Sequence, residues 1–381
     1  MLNIIQNPPF VLAWVTGDAS AAKDALSKFT WRSPIVVVKV VDSVLRGVAQ
    51  VVFVNNPLSG SLILLGLFLS DFRCGSGALL CSLSAITVAK VMGIPNSIIE
   101  AGLTNFNAVL VGTVIPALYP VFFHQPLSLP VWGYMIVSSV FSVCVLGGLG
   151  RILDAHTLPA FTLPFNLVTS MAFVSMREAG YEIEPLNVNQ THEYPVDPTW
   201  NQQVWLGTLL SAGQVWGVES VWCSTLVMVA VFISSPLLTL LTYTGATVAT
   251  FTALVVSSAP YTLVEAGVWG YNGFLSAGAI TFFMVPTPRT LLLAVINAFF
   301  TTFIHSSLSP IFASVQLPVL TIPFCLSSLI FLSLAMSVGP ASLRVSSPSF
   351  PERHLVLYAQ KLSNEKKTQE IATTVPEISR L

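Results

Sequence analysis

The chain of 381 residues is 54% apolar and 9% charged, with a formal net charge of −1, whereas ordinary globular domains carry roughly 25% charged residues. The few charges crowd the ends, with five in residues 1–32 and ten in 343–381, so the region between cannot present a solvated surface. A soluble fold is excluded, and the absence of a basic patch excludes a nucleic-acid-binding protein. What remains is an all-α polytopic membrane protein.

In chain order, residues 1–32 form a polar segment carrying Lys23, Lys28 and Arg32. Apolar segments follow near 33–53, 58–72, 76–94, 99–120, 130–150 and 157–176. A second set lies near 204–216, 220–241, 244–257, 262–284, 290–309 and 316–338. Several fall short of the ~20 residues that a spanning helix needs, and Pro or Gly interrupts many. Such breaks predict re-entrant or half-spanning helices, tolerated at membrane depth only where they line a cavity or are buried in protein. Residues 33–178 and 204–340 are therefore expected to be two membrane units, followed by a tail over 341–381.

The polar stretch between them, 179–203, has no Lys or Arg but contains Glu182, Glu184, Glu193 and Asp197, and it holds the sequon Asn189-Gln190-Thr191. The charge asymmetry predicts an extracellular loop with a glycosylation acceptor at Asn189, and a cytoplasmic location for both basic termini. Each unit then crosses an odd number of times, which would invert one relative to the other. The five cysteines show no C-x-x-C spacing and read as buried free thiols.

The two units repeat each other. Glu100-Ala-Gly-Leu-Thr-Asn-Phe-Asn107 returns as Glu265-Ala-Gly-Val-Trp-Gly-Tyr-Asn272, 165 residues later. Leu158-Pro-Ala-Phe-Thr162-Leu-Pro-Phe165 returns as Leu317-Pro-Val-Leu-Thr321-Ile-Pro-Phe324 after 159 residues, and Ala49-Gln50-Val51 as Gly213-Gln214-Val215 after 164. Matches in one order at near-constant spacing predict two inverted-topology repeats with a central pore between them.

The polar residues paired across the repeat are amides and hydroxyls: Gln50 with Gln214, Asn107 with Asn272, Thr162 with Thr321. An ion path calls for charged rings or a carbonyl filter, and a proton-coupled carrier for an intramembrane acid or histidine relay. The inventory fits a small neutral solute that forms hydrogen bonds. No catalytic constellation, metal-ligand set or cofactor motif occurs. Two readings stay open for Glu100 and Glu265, as capping boxes begun by Ser97 and Thr262 or as substrate contacts. Gln50 and Gln214 can act as interhelical bonds, and Thr162 and Thr321 can satisfy backbone freed by the neighbouring prolines.

Asn55-Asn-Pro-Leu-Ser-Gly60, Asn105-Phe-Asn-Ala-Val-Leu-Val-Gly112 and Leu158-Pro-Ala-Phe-Thr-Leu-Pro-Phe-Asn166, with their second-half counterparts ending at Asn272 and Cys325, resemble the urea transporter family over about 33–338. The resemblance implies a plasma-membrane homotrimer embedded in lipid, with a separate pore in each subunit. It also implies that each half of 33–338 has five spanning helices and a re-entrant half-helix. Passive, channel-like transport of urea is the activity it implies, without a cofactor. By the same resemblance Gln50 and Gln214 accept amide N–H groups at the half-helix ends, and Thr162 and Thr321 offer oxygens at the constriction. Val51, Phe53, Phe106 and Leu110 would line the slot from the first half, and Val215, Tyr271 and Leu275 from the second. Tyr271 stands where the family usually has Phe, and Gly217 matches Phe53. A channel for water, ammonia or a related amide, or a membrane scaffold with a vestigial pore, are the alternatives.

Overall fold

The computed structural model describes residues 10–180, 203–256, 261–338 and 343–374. Asn189 and nearly all of the 179–203 loop lie outside them. Two short helices open the described chain, α1 (Phe10–Val15) and α2 (Ser20–Ser27). The first half then contains α3 (Val36–Gln50), α4 (Pro57–Ser70), α5 (Phe72–Val91) and α6 (Asn96–Glu100). It continues with α7 (Phe106–Phe123), α8 (Leu129–Asp154) and α9 (Leu163–Glu178).

The second half restates this series almost helix for helix. Its members are α10 (Gln203–Gln214), α11 (Val221–Ser234), α12 (Pro236–Val256) and α13 (Tyr261–Glu265), then α14 (Tyr271–Phe283), α15 (Pro288–Ser314) and α16 (Ile322–Val338). A polar helix, α17 (Pro351–Thr374), ends the described chain. The fold is all-helical and belongs to an integral membrane protein. Among the described residues α5, α7, α8, α12 and α15 are long and apolar enough to cross a bilayer. Their outward faces carry large apolar side chains such as Leu83, Phe141, Leu240 and Phe299.

Local chemistry sets the breaks. Asn56 caps α4 by accepting from the backbone N–H groups of Leu58 and Ser59 at 2.9 and 3.3 Å, with Pro57 at the first helical position. Asp71 alone separates α4 from α5, and Ser235 alone separates α11 from α12. Their backbones match, at φ −149°, ψ 110° and φ −154°, ψ 105°. Apolarity predicts one segment over 220–241, but the chain breaks inside it. The Ser235 hydroxyl accepts from Leu238 N at 3.0 Å, and Pro236 cannot donate to the preceding turn.

The halves pack through α4 and α11, which run antiparallel: Ser59 Oγ donates to Ala230 O at 2.6 Å, and Ser70 Oγ lies 2.8 Å from Ser220 Oγ. The segments that flank the two halves, around residues 17–18 and 349–352, meet beside them. Ser349 Oγ donates to Asp18, Gly17 N donates to Ser234 O at 3.2 Å, and the Glu352 carboxylate accepts from Ser235 Oγ and Leu237 N at 2.7 and 2.8 Å. Burial raises the Asp18 carboxyl above its usual range, against the lowering effects of the Ser349 bond and of Arg353, Arg46 and Lys23. His354 Nε2 accepts from Ser349 N at 2.9 Å, and burial, helped by Arg353, pushes that imidazole down to about 4.

The cysteines are free. Cys74, Cys81, Cys223 and Cys325 are buried as expected, but Cys144 is exposed on α8, because its apolar run faces outward rather than into the core.

Candidate functional site

Two cavities approach each other inside the molecule. The larger, about 540 Å³, is lined by Gln50, Val51, Phe53, Phe106 and Thr162. The smaller, about 240 Å³, is lined by Gln214, Val215, Tyr271 and Thr321. Between them the hydroxyls of Thr162 and Thr321 lie 2.6 Å apart, so a pair of matched side chains stands at the junction of the two cavities. Leu110 and Leu275 line neither cavity and are fully buried against the core.

Each glutamine is held by backbone that the repeat reproduces. Gln50 Nε2 donates to Ala101 O at 3.0 Å, and Gln214 Nε2 to Ala266 O at 2.9 Å. The bond takes one of the two amide N–H groups and anchors the side chain, and the Oε1 atom is left as an acceptor. The bond between elements and the free acceptor therefore belong to one side chain. The glycine after each alanine makes the approach possible. A Cβ on Gly102 would fall 2.3 Å from Gly47 N, and one on Gly267 would fall 2.5 Å from Ser211 N. Both glycines also adopt positive φ, at 70° and 79°.

Other left-handed positions also pair across the repeat. Phe161 at φ 49° matches Leu320 at 50°, and Thr157 at 56° matches Gln316 at 53°. Phe53 at 64° matches Gly217 at 73°. Non-glycine residues in this region store strain and persist only where their surroundings hold them. Phe161 and Leu320 are each flanked by a clamp. Asn107 donates to Phe161 O at 3.4 Å and accepts from Phe165 N at 3.0 Å. Asn272 does the same with Leu320 O and Phe324 N, at 3.2 and 3.4 Å. These amides satisfy exposed groups at the starts of α9 and α16, helices that begin just after the two threonines.

The constriction is not fully symmetric. Asn166 Oδ1 accepts from Thr321 N at 3.0 Å and from Thr321 Oγ1 at 3.2 Å, while Asn166 Nδ2 donates to Thr162 O at 2.9 Å. The matching residue is Cys325, whose Sγ lies 3.2 Å from Thr162 Oγ1. The Tyr271 hydroxyl donates to Leu320 O, so it points at the loop before Thr321.

An aromatic cluster that spacing alone did not reveal closes the inner end of the larger cavity. Phe53 lies 5.6 to 6.4 Å, centroid to centroid, from Phe161, Phe282, Phe283 and Phe324. Phe161 and Phe324 are closer still, at 4.9 Å. Gly278 makes room for this: a Cβ there would sit 3.1 Å from the Phe53 ring. Of the residues lining the larger cavity only Arg151 and Asp154 are charged, and the smaller cavity has no acid, Lys or Arg. The sequence signal for Asn166 and Cys325 was present, since both end the repeated Leu-Pro motif. Phe282, Phe283 and His305 had no such mark.

Glu100 is neither a helix cap nor a cavity residue. It accepts from Lys39 Nζ and Trp31 Nε1, each at 2.7 Å, and Pro95 stands at the N-cap of α6 without a side-chain bond. Ser97 lies inside that helix, as Thr262 lies inside α13, so neither can act as an N-cap. Glu265 lines neither cavity.

Comparison with known proteins agrees with this architecture. A family model described as "Urea transporter" matches residues 41–336. "Urea transporter 1" of Ovis aries is 32% identical over 360 residues, covering 92% of this chain and 91% of the relative. The Mus musculus protein of the same name is 32% identical over 376 residues, covering 94% and 92%. The chain is thus a transporter and not an enzyme, and it belongs to the urea transporter family.

Proposed function

We propose that the protein conducts urea passively through the two cavities and past the threonine pair. The observation that carries this reading is the meeting of two oxygen-bearing, apolar-walled cavities at a hydroxyl pair 2.6 Å apart, with no charged group among its bonded partners. Urea is planar and neutral, with four N–H donors and one carbonyl acceptor. Leaving a donor unmet in a dry passage costs on the order of several kcal/mol, so each stage needs an acceptor. Gln50, Thr162, Thr321 and Gln214 supply these in sequence, while Val51, Phe53, Phe106 and Val215 provide flat apolar walls. Parting the threonine hydroxyls sacrifices a neutral hydrogen bond worth about 1 kcal/mol, which bonds from the solute replace.

Ions are rejected for two reasons. Apolar walls cannot replace a hydration shell, and the N-terminal ends of α9 and α16 put positive dipole ends beside the threonines, which opposes cations. No group has to change charge during passage, so conduction needs no coupling ion.

The same reading places the halves in inverted orientation, with both termini cytoplasmic and 179–203 outside the cell, where Asn189 is a glycosylation acceptor. The antiparallel course of α4 and α11 supports the inversion. A plasma-membrane homotrimer surrounded by lipid completes the assignment, by analogy with the family.

Urea flux into liposomes holding the purified protein tests the proposal, beside a Thr162→Val/Thr321→Val double variant. The expected result is voltage-independent flux down the gradient that falls at least tenfold in the double variant, the loss of one to two neutral hydrogen bonds. Flux unchanged by the substitutions would remove the threonines from the path. Absence of urea flux from folded wild type would leave another small neutral solute, or a scaffold role.

A further inference from the structure

His305, on α15, lines the smaller cavity although only 3% of the residue is exposed. Its Nδ1 has no hydrogen-bond partner within the protein. The ring lies against Trp269, with centroids 4.6 Å apart at 33°, and meets Tyr271 edge-on at 5.9 Å and 70°. Two aromatic neighbours thus fix the plane of an imidazole whose nitrogen is left unsatisfied. Buried polar atoms are normally paired, and no described residue bonds either ring nitrogen, so an imidazole at a cavity wall points to a partner supplied by the solute.

The other half sharpens the point. The residue 159 positions earlier is Leu146, which lines the larger cavity from α8. The same place in the repeat therefore presents an aliphatic side chain to one cavity and a hydrogen-bonding ring to the other.

The remaining polar groups of the smaller cavity mainly accept. Gln214 has one of its two amide N–H groups bonded to Ala266 O, and the Thr321 hydroxyl is directed at Asn166. Tyr271 spends its O–H on Leu320 O. These oxygens suit the N–H groups of an amide, whose carbonyl still needs a donor placed across the cavity from them. A neutral imidazole has an N–H on one nitrogen, and His305, with Ser309 one turn further along the same wall, supplies the missing donor.

We propose that His305 is a specificity-determining residue of the smaller cavity. It donates to the carbonyl oxygen of a small neutral amide whose N–H groups are taken by Gln214, and so favours carbonyl over thiocarbonyl solutes. The proposal rests on the reading of these cavities as a urea path.

The test compares initial rates of urea and thiourea entry into liposomes holding the full-length protein, as wild type and as His305→Phe. Phenylalanine keeps a ring against Trp269 but carries no nitrogen. The expected result is a fall in the urea-to-thiourea rate ratio of about threefold to tenfold, the value of one neutral hydrogen bond, with thiourea entry retained. His305→Gln, which returns an N–H near the Nε2 position, should restore the ratio. A ratio is independent of how much protein inserts, so poor assembly alone cannot mimic the effect, and His305→Leu gives the same readout if the Phe variant does not fold. A ratio unchanged from wild type, or equal losses for both solutes, overturns the assignment of His305. Wild type that passes neither solute overturns the conduction reading itself.

Discussion

The two cavities occupy equivalent places in two repeated halves but are furnished differently. The larger is closed at its inner end by Phe53, Phe161, Phe282, Phe283 and Phe324. In the smaller, Gly217 stands for Phe53, and the neighbouring wall is Val114 and Leu118. What the halves share is a set of fixed points: the glutamine ends, the left-handed turns, the asparagine clamps and the threonines. What differs is side-chain bulk beyond these fixed points. The repeat therefore reproduces the groups at the junction of the two cavities and varies the bulk beside them.

The largest effect is expected from making the halves alike in bulk. Gly217→Phe puts a side chain at φ 73°, with its Cβ 3.2 Å from Ala117 Cβ, into a cavity of about 240 Å³. The left-handed backbone alone costs about 1–2 kcal/mol, and urea flux should be abolished, as stopped-flow uptake would show. Flux at the wild-type level would mean that the smaller cavity is not on the path. The reverse change, Phe53→Ala, removes contacts with four rings. For this half-buried ring it should lower thermal stability by about 2–3 kcal/mol and raise the urea concentration at half-saturation. A variant with unaltered melting and saturation would show the aromatic cluster to be incidental.

Asn166→Ala tests the asymmetry at the centre. It strips Thr321 of the acceptor for its N–H and hydroxyl, a loss of about 1–3 kcal/mol for the buried groups left unpaired. Flux should fall more than stability would account for, because the Thr321 oxygen is no longer aimed. Equal scaling of flux with the amount of folded protein would argue for a purely structural asparagine.

The smallest effect concerns the junction of the chain ends. His354 is held neutral, pushed down to about 4, and accepts from Ser349 N, whereas an undocked histidine titrates near 6.5. Between these values the undocked state binds more protons, so the His354 contribution is complete above about 6.5 and is lost as pH falls towards about 4. Asp18, raised by burial, acts in the opposite sense: its contribution is complete at low pH and is lost as pH rises. The comparison with His354→Gln isolates the histidine. Protease cutting of α17 in wild type should rise relative to that variant on acidification from pH 6.5, and parallel curves would refute the assignment.

Much of this was legible in the sequence. The helical membrane class followed from charge scarcity, and the repeat from Gln50/Gln214, Thr162/Thr321 and the Glu-Ala-Gly motifs. Those motifs are local, and their spacing survives in one chain. What stayed hidden depends on partners from the other half. Asn166 acts on a threonine 155 residues away, and Phe53 gathers rings from both halves. The Ser235 break was missed because apolarity continues through it, although Ser234-Ser235-Pro236 carried the capping and breaking chemistry. Glu100 was misread because a local cap pattern cannot announce a lysine 61 residues earlier.

The junction between Asp18 and Ser349 has a consequence for chain order. With these two residues joined by a hydrogen bond, the ends of the membrane body lie within side-chain reach of each other. A short linker from the region of Ser349 back to Gly17 would close the chain with little further loop entropy. New termini opened between residues 180 and 203 would then leave every described contact between α3 and α16 intact. In this architecture the order of the two halves along the polypeptide is a matter of ancestry rather than of mechanics. A circular permutant that begins with the second half should assemble the same path.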